Sequence, residues 1–332
     1  MKHWTTLSSL WLSLLTLLAC GIIGWRRPKE NVDKLSVVYD VELHARHGFA
    51  QACQSSVTIT TAYYNLLESS KYSAVEYSDW NQRFFRLADN MVIFTDANTL
   101  KDIHSLRRLA KGCTLIVLQN LNETKASMLT DWERQYAIDH EKHHSPALYI
   151  IWAQKAFWLD SVARVNPFRS SYFFWADAGQ FRDDRFQRRY LSNPWTKWVR
   201  YTNFIPRNRV AFLSIEPFTE DELQLHTDGL GPILSSALVR LGGGNFGGDA
   251  RAVSLFADLY SSEFHRYLQA GAFVGKDQPI FGSICITYST ACYIVDSRKV
   301  KKIADPWFAM QPVLHGVSKP VPGYILYPSV GR

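Results

Sequence analysis

Apolar residues in this chain fall in short continuous blocks rather than in strict alternation. Val57–Tyr63 is β-branched and aromatic and predicts a buried strand, and Asn90–Asp96 and Cys113–Leu118 predict two more. Residues 147–165 carry one narrow polar stripe (Gln154, Lys155, Ser161, Arg164) at helical spacing, and Asn166-Pro167 ends that helix. Tyr172–Trp175 predicts a fourth strand stopping at Asp177-Ala178-Gly179, Arg209–Ile215 a fifth, and Tyr293–Val295 a late one. A helix is expected over residues 250–268, and an apolar helix after Gly275-Lys276-Asp277-Gln278-Pro279. Continuous apolar strands separated by helices imply an α/β fold, a mostly parallel sheet flanked by helices. Ligands of such sheets bind beyond the carboxyl ends of the strands, which places Asp96 and Asp177 on the ligand side.

From Trp4 to Trp25 there is no charged residue, and as a helix this stretch would span roughly 33 Å, about one bilayer core. Residues 1–30 are therefore expected to be a signal anchor or transmembrane helix, with a cleaved signal peptide or a lipoprotein box at Leu17–Cys20 as alternatives. Residues 31–54 lack a sustained period and read as a stem or linker, leaving 55–332 as the catalytic domain. Arg26, Arg27 and Lys29 favour a cytoplasmic body by the positive-inside rule. Cys53, Cys113, Cys285 and Cys292, which allow three pairings, and the Asn122-Glu123-Thr124 sequon favour the other side. The expectation is a single-pass membrane protein facing a lumen, that of the Golgi if the source is eukaryotic.

The 332 residues are 47% hydrophobic and 14% aromatic, enough for a full core and too apolar for a disordered chain. Lys plus Arg at 37 against Asp plus Glu at 30 leaves a dispersed +7. That suits a nucleotide, a sugar phosphate or a membrane surface, and excludes a dedicated nucleic-acid face. There is no CxxC pair and no GxSxG elbow, and Glu141 with His143-His144 lacks HExxH spacing.

Tyr172–Asp184 offers Asp177 as an oxygen ligand for Mn²⁺ or Mg²⁺ on a diphosphate, beside the small Ala178 and Gly179. The third position of that triplet is glycine, so a second ligand would come from Asp183, Asp184 or a distant residue. Gly242–Gly248 lacks the Lys-Ser/Thr of a P-loop, and suits close approach to a sugar with Phe246 for ring stacking, or a simple turn. Asp277 is a helix cap, a carboxylate placed with the Gln278 amide against sugar hydroxyls, or the catalytic base. His315 and Lys319 offer a metal-type imidazole and a phosphate-type ammonium, and Lys71, Lys155 and Arg107 are further cations for a diphosphate.

Ordered segments between residues 57 and 280 resemble the HtrL/YibB (WlaTC) family of glycosyltransferase-like proteins. They are Thr61–Tyr64 with Lys71–Ser73, Trp80 with Arg83–Phe85, and Met91–Asp96. His144–Trp152 with Lys155, Asn166–Phe168, Tyr172–Asp183, Gly243–Gly248 and Gly275–Gln278 complete the set. The resemblance implies a GT-A nucleotide-diphospho-sugar transferase fold and transfer of a sugar from a nucleotide-sugar donor to a glycan or protein acceptor. It implies Thr61, Ala62 and Tyr63 facing the nucleotide, and Asp177 as the metal-binding acid with His315. Gly243, Gly244, Asn245, Phe246 and Gly247 would line the sugar and Asp277 would lie near the reacting centre; Asp277 is the candidate catalytic base, and Lys276 and Gln278 are candidate donor-binding residues. Lys71, Lys155 and Lys319 would meet the diphosphate. The alternative is a catalytically silent nucleotide- or carbohydrate-binding protein on the same scaffold.

Overall fold

The computed structural model describes residues 35–38, 53–66, 73–182, 191, 193–200, 205–300, 305–316 and 323–330. The expected anchor over 1–30, Lys71, Asp183, Asp184 and Lys319 lie outside the described residues. Among the described residues, no helix is long and apolar enough to cross a membrane.

Among the described residues the strands run β1 (Leu35–Val38), β2 (Val57–Ala62), β3 (Asn90–Thr95), β4 (Thr114–Leu118), β5 (Tyr172–Ala176), β6 (Val210–Ser214), β7 (Gln224–Leu225), β8 (Leu241–Asp249), β9 (Cys292–Asp296) and β10 (Ser329–Val330). The helices are α1 (Ala74–Phe85), α2 (Leu100–Arg107), α3 (Trp132–Ile138), α4 (Pro146–Val165), α5 (Ala250–Gln269), α6 (Asp277–Thr287) and α7 (Met310–His315). Eight strands form one sheet in the order β1-β4-β3-β2-β5-β8-β6-β9, parallel except for β8, which is antiparallel to both neighbours. The result is a mixed α/β fold with a mostly parallel sheet.

Alternation along each strand sorts side chains into two cores. Val92, Phe94, Phe173, Trp175, Val210 and Phe212 face the layer that holds α4, α5 and α6. Met91, Ile93, Phe174, Ala211 and Leu213 face the layer that holds α1, α2 and α7. Both sheet faces are covered, which is why the strands read as unbroken apolar runs. Helix ends follow their local chemistry. Ser145 accepts the Leu148 N–H and Pro146 opens α4, while Asn166 closes it in the left-handed region at φ 49°. Asp249 caps α5 by accepting from Ala252.

Three expectations change. Leu35–Val38, read as part of a stem, pair in parallel with β4 as an edge strand. Four residues are too few to show a period. The glycine run 242–248 is no loop: it is the middle of β8, hydrogen-bonded between β5 and β6. A Cβ on Gly247 would come within 2.1 Å of the Phe173 carbonyl oxygen, so the missing side chain is what lets β5 and β8 approach. Arg107 is no diphosphate cation. It is buried at the amino-terminal edge of the strands, donating to the carbonyls of Phe85, Leu87, Asp89 and Gly112 and to Thr114 Oγ1. Asp89, beside it, accepts from Trp195 N and from Thr196 N and Oγ1.

The cysteines pair as Cys53–Cys113 and Cys285–Cys292. The first joins the residues just ahead of β2 and β4; the second ties α6 to β9.

Arg107→Ala leaves several buried carbonyls without a donor, and is expected to lower unfolding stability by roughly 3–5 kcal/mol. Arg107→Lys, lacking the planar fork, should recover only a part. Urea denaturation followed by circular dichroism reads both.

Candidate functional site

Four elements meet at the carboxyl end of β5. The strand delivers Asp177, whose backbone N–H donates to Gly244 O at 2.8 Å. On its β6 side, the register of β8 jumps from Phe212–Phe246 to Leu213–Gly242, so residues 243–245 bulge toward that strand end. Helix α4 sends Lys155 up from below, and the first residue of α6 is Asp277. Lys155 Nζ lies 3.2 Å from Asp177 Oδ1 and 3.1 Å from Asp277 Oδ2, and donates to Gly243 O at 3.0 Å. Trp175 Nε1 donates to Asp177 Oδ1 at 2.7 Å. A Cβ on Gly243 would sit 2.7 Å from Asp277 Oδ1, so this glycine makes room for the carboxylate.

Two negative charges thus enclose one positive charge. Lys155 and Asp277 are each only 2% exposed, whereas the Asp177 side chain is 39% exposed. Burial alone would drive the Lys155 ammonium toward neutrality, but Asp177 and Asp277 together raise its pKa above the ordinary lysine value. Burial raises the Asp277 carboxyl, with Lys155 opposing and Asp177 reinforcing the shift. The open end of a helix favours the anionic form of Asp277 at the first turn of α6. Asp177 is the carboxylate that a ligand meets; Asp277 sits behind it.

Asp177, Asp277, Lys155, Gly244 and Gln278 border a cavity of about 1020 Å³. One face of α4 forms its floor, with Leu148, Ile151, Trp152 and Lys155 at the three- and four-residue spacing of a helix surface. Ala62, the last residue of β2, and Tyr63 after it line the cavity. Thr61 does not: it is fully buried within the strand. Arg182 also borders the cavity, with its guanidinium 4.3 Å above the Trp80 ring and 5.1 Å from that of Phe308.

Several expected ligand contacts are corrected. Phe246 is completely buried, packed on Phe212 at 5.3 Å and Phe281 at 5.0 Å, and no sugar reaches it. Gly243, Asn245 and Gly247 do not border the cavity either. Gly243 turns its carbonyl to Lys155, and Asn245 Nδ2 donates to Gln180 Oε1 at 3.4 Å. Lys276 is spent on an ion pair with Glu141 and a bond to Ser236 O. Asp96 is consumed locally, accepting from the N–H groups of Asn98 and Thr99 and from Thr99 Oγ1.

The donor set named for Mn²⁺ or Mg²⁺ does not fit. His315 ends α7 with Nδ1 3.3 Å from Trp195 O, and that segment is bonded to Asp89 at the amino-terminal edge of β3. Asp177 stands at the opposite edge, already in contact with Lys155 and Trp175. Burial lowers the His315 imidazole below the ordinary histidine value.

One group that the sequence reading set aside for its lack of HExxH spacing comes together in the structure. His143 and His144 border the cavity, beside Glu141. Asp139 Oδ2 receives both Tyr149 Oη at 2.5 Å and His144 Nδ1 at 2.8 Å, and Glu141 N donates to Oδ1 at 3.0 Å. Burial by itself would raise the Asp139 carboxyl; these hydrogen bonds hold it below the ordinary aspartate value. The only sequence signal was the dense run from Asp139 to Trp152, since the side chains converge through a loop rather than along a helix.

No family model matches the chain, and no curated protein matches it. Among solved structures the chain is similar to mouse xyloside xylosyltransferase 1 in its apo form, at a TM-score of 0.40 and 9% identity, over 76% of this chain and 93% of that one. The HtrL/YibB resemblance therefore rests on the sequence segments alone.

Because Asp139 has a depressed folded-state pKa, its stabilising contribution is present above the unfolded value of about 3.9 and is lost as pH falls through the folded value. The melting-temperature gap between the protein and Asp139→Asn should therefore be widest near neutral pH and close as pH drops below about 4. Scanning calorimetry from pH 7 to pH 3 measures it; a gap that widens toward acid contradicts the assignment.

Proposed function

We propose that this chain is a glycosyltransferase that moves a sugar from a nucleotide-diphospho-sugar donor to an acceptor hydroxyl, on a GT-A-like scaffold. The observation that carries the reading is the meeting of Asp177, Lys155 and Asp277 at the carboxyl end of β5, in one cavity that also holds the end of β2 and Gly244 of β8. A sugar nucleotide brings its own leaving group, so the protein must orient an acceptor and take one proton.

Asp177 is the proton acceptor in this reading, because it is the exposed carboxylate of the pair. Lys155 and Asp277 are positioning residues: Lys155 holds the Asp177 carboxylate, and Asp277 holds the Lys155 ammonium from its other side. Arg182, held against the Trp80 ring, faces the developing charge of the departing diphosphate, and Tyr63 with Trp152 offers aromatic surface to the nucleoside or sugar. The N-terminal apolar segment is proposed as a membrane anchor with the body on the lumenal side. The two disulfides support an oxidising compartment.

Incubating the full chain with a panel of UDP- and GDP-sugars tests the reading by donor hydrolysis or transfer. Asp177→Asn should lower kcat by about 10²–10⁴ with little change in KM. Asp277→Asn should cost less and shift the pH profile, since it alters the charge around the base without touching the acceptor. Turnover that survives Asp177→Asn defeats the assignment. Saturable donor binding with no turnover by any donor makes the chain a silent binding protein.

A further inference from the structure

We propose that Glu141, His143 and His144 form a binding site for a Zn²⁺-class transition-metal ion on the cavity wall, separate from Asp177. The donor atoms of the three side chains lie within 4.8 Å of one another. His143 Nε2 is 3.5 Å from Glu141 Oε2, and His144 Nε2 is 3.8 Å from the same oxygen. Ligands held tetrahedrally at about 2.0–2.1 Å from zinc stand about 3.4 Å apart, whereas neighbouring ligands of an octahedral Mg²⁺ stand about 2.9 Å apart. The spacing here is nearer the first, and two imidazoles with one carboxylate are a donor set for zinc or its neighbours rather than for magnesium.

The surroundings are those of a metal site. His144 Nδ1 is engaged by the buried Asp139 carboxylate, which places the proton on Nδ1 and leaves the Nε2 lone pair directed at Glu141. Asp139 is itself fixed by Tyr149 Oη and Glu141 N. Lys276 holds Glu141 through Oε1, leaving Oε2, the oxygen nearer both imidazoles, for the ion. Its ammonium offsets the negative charge of the carboxylate, so affinity depends chiefly on the two histidines. Because His143 and His144 border the cavity, three protein ligands would leave a fourth position facing the ligand space. An oxygen of a phosphate or a sugar is the chemistry that fits there. The face of α4 from Leu148 to Lys155 separates this group from the Asp177 cluster by roughly 10 Å along the helix.

The site does not depend on sugar transfer. The test is titration of metal-stripped, tag-free full chain with Zn²⁺ in a calorimeter, and with Co²⁺ followed by visible absorption. One equivalent of Zn²⁺ and an intense tetrahedral cobalt band are expected. His143→Ala and His144→Ala should each abolish the band, and Asp139→Asn should weaken binding about 10–100-fold while the far-UV spectrum stays native. Asp177→Asn should bind as tightly as the unmodified protein. Absence of a tight equivalent, or a stoichiometric ion that persists in the His143→Ala/His144→Ala double variant, overturns the proposal. Should a variant fail to fold, the cobalt spectrum of the unmodified chain still decides, because a weak octahedral band alone rejects the site.

Discussion

A buried ammonium is the constraint around which this fold is arranged. Taking the Lys155 head group out of water costs several kcal/mol, and only a close, well-aimed set of anions and carbonyls offsets that. Asp177 comes from a strand end, Asp277 from a helix start, and the Gly243 oxygen from the bulge of β8. These three elements lie far apart in sequence, and each is held in place by the requirement to satisfy one cation. Gly243 follows from the same demand: a side chain there would strike the Asp277 carboxylate. Aromatic stacking stiffens the support underneath, with Trp158 parallel to both Trp175 and Phe94.

The blocks of apolar residues were enough to read the layered architecture, because every strand buried on both faces leaves an uninterrupted run. The convergence of Asp177, Gly243 and Asp277 was legible as well, each being a carboxylate or a backbone gap at the end of a strong element. What the sequence concealed was direction. Phe246 looks like a stacking platform until β8 is known to be a central strand, where alternation turns its ring into the core. His315 and Arg107 look like ligand-binding cations, but both are anchored at the amino-terminal edge of the sheet. Their type was informative and their edge was not, since strand polarity at a distance of many residues is a property of the whole sheet.

The His-rich stretch before α4 failed for a different reason. Metal motifs are recognisable when a helix fixes their spacing, and here a loop brings Glu141, His143 and His144 together while Asp139 steadies them from behind. Only tertiary packing against Tyr149 and Lys276 defines that geometry.

The bond between Cys53 and Cys113 has a topological effect beyond its strength. With a separation of 60 positions along the chain, the two cysteines close a covalent ring that contains β2, α1, β3 and α2. A protease that severs the backbone once within this ring produces two fragments that sulfur still holds together. Such a clipped molecule would retain every strand neighbour of the first half of the sheet and would separate into two bands only after reduction.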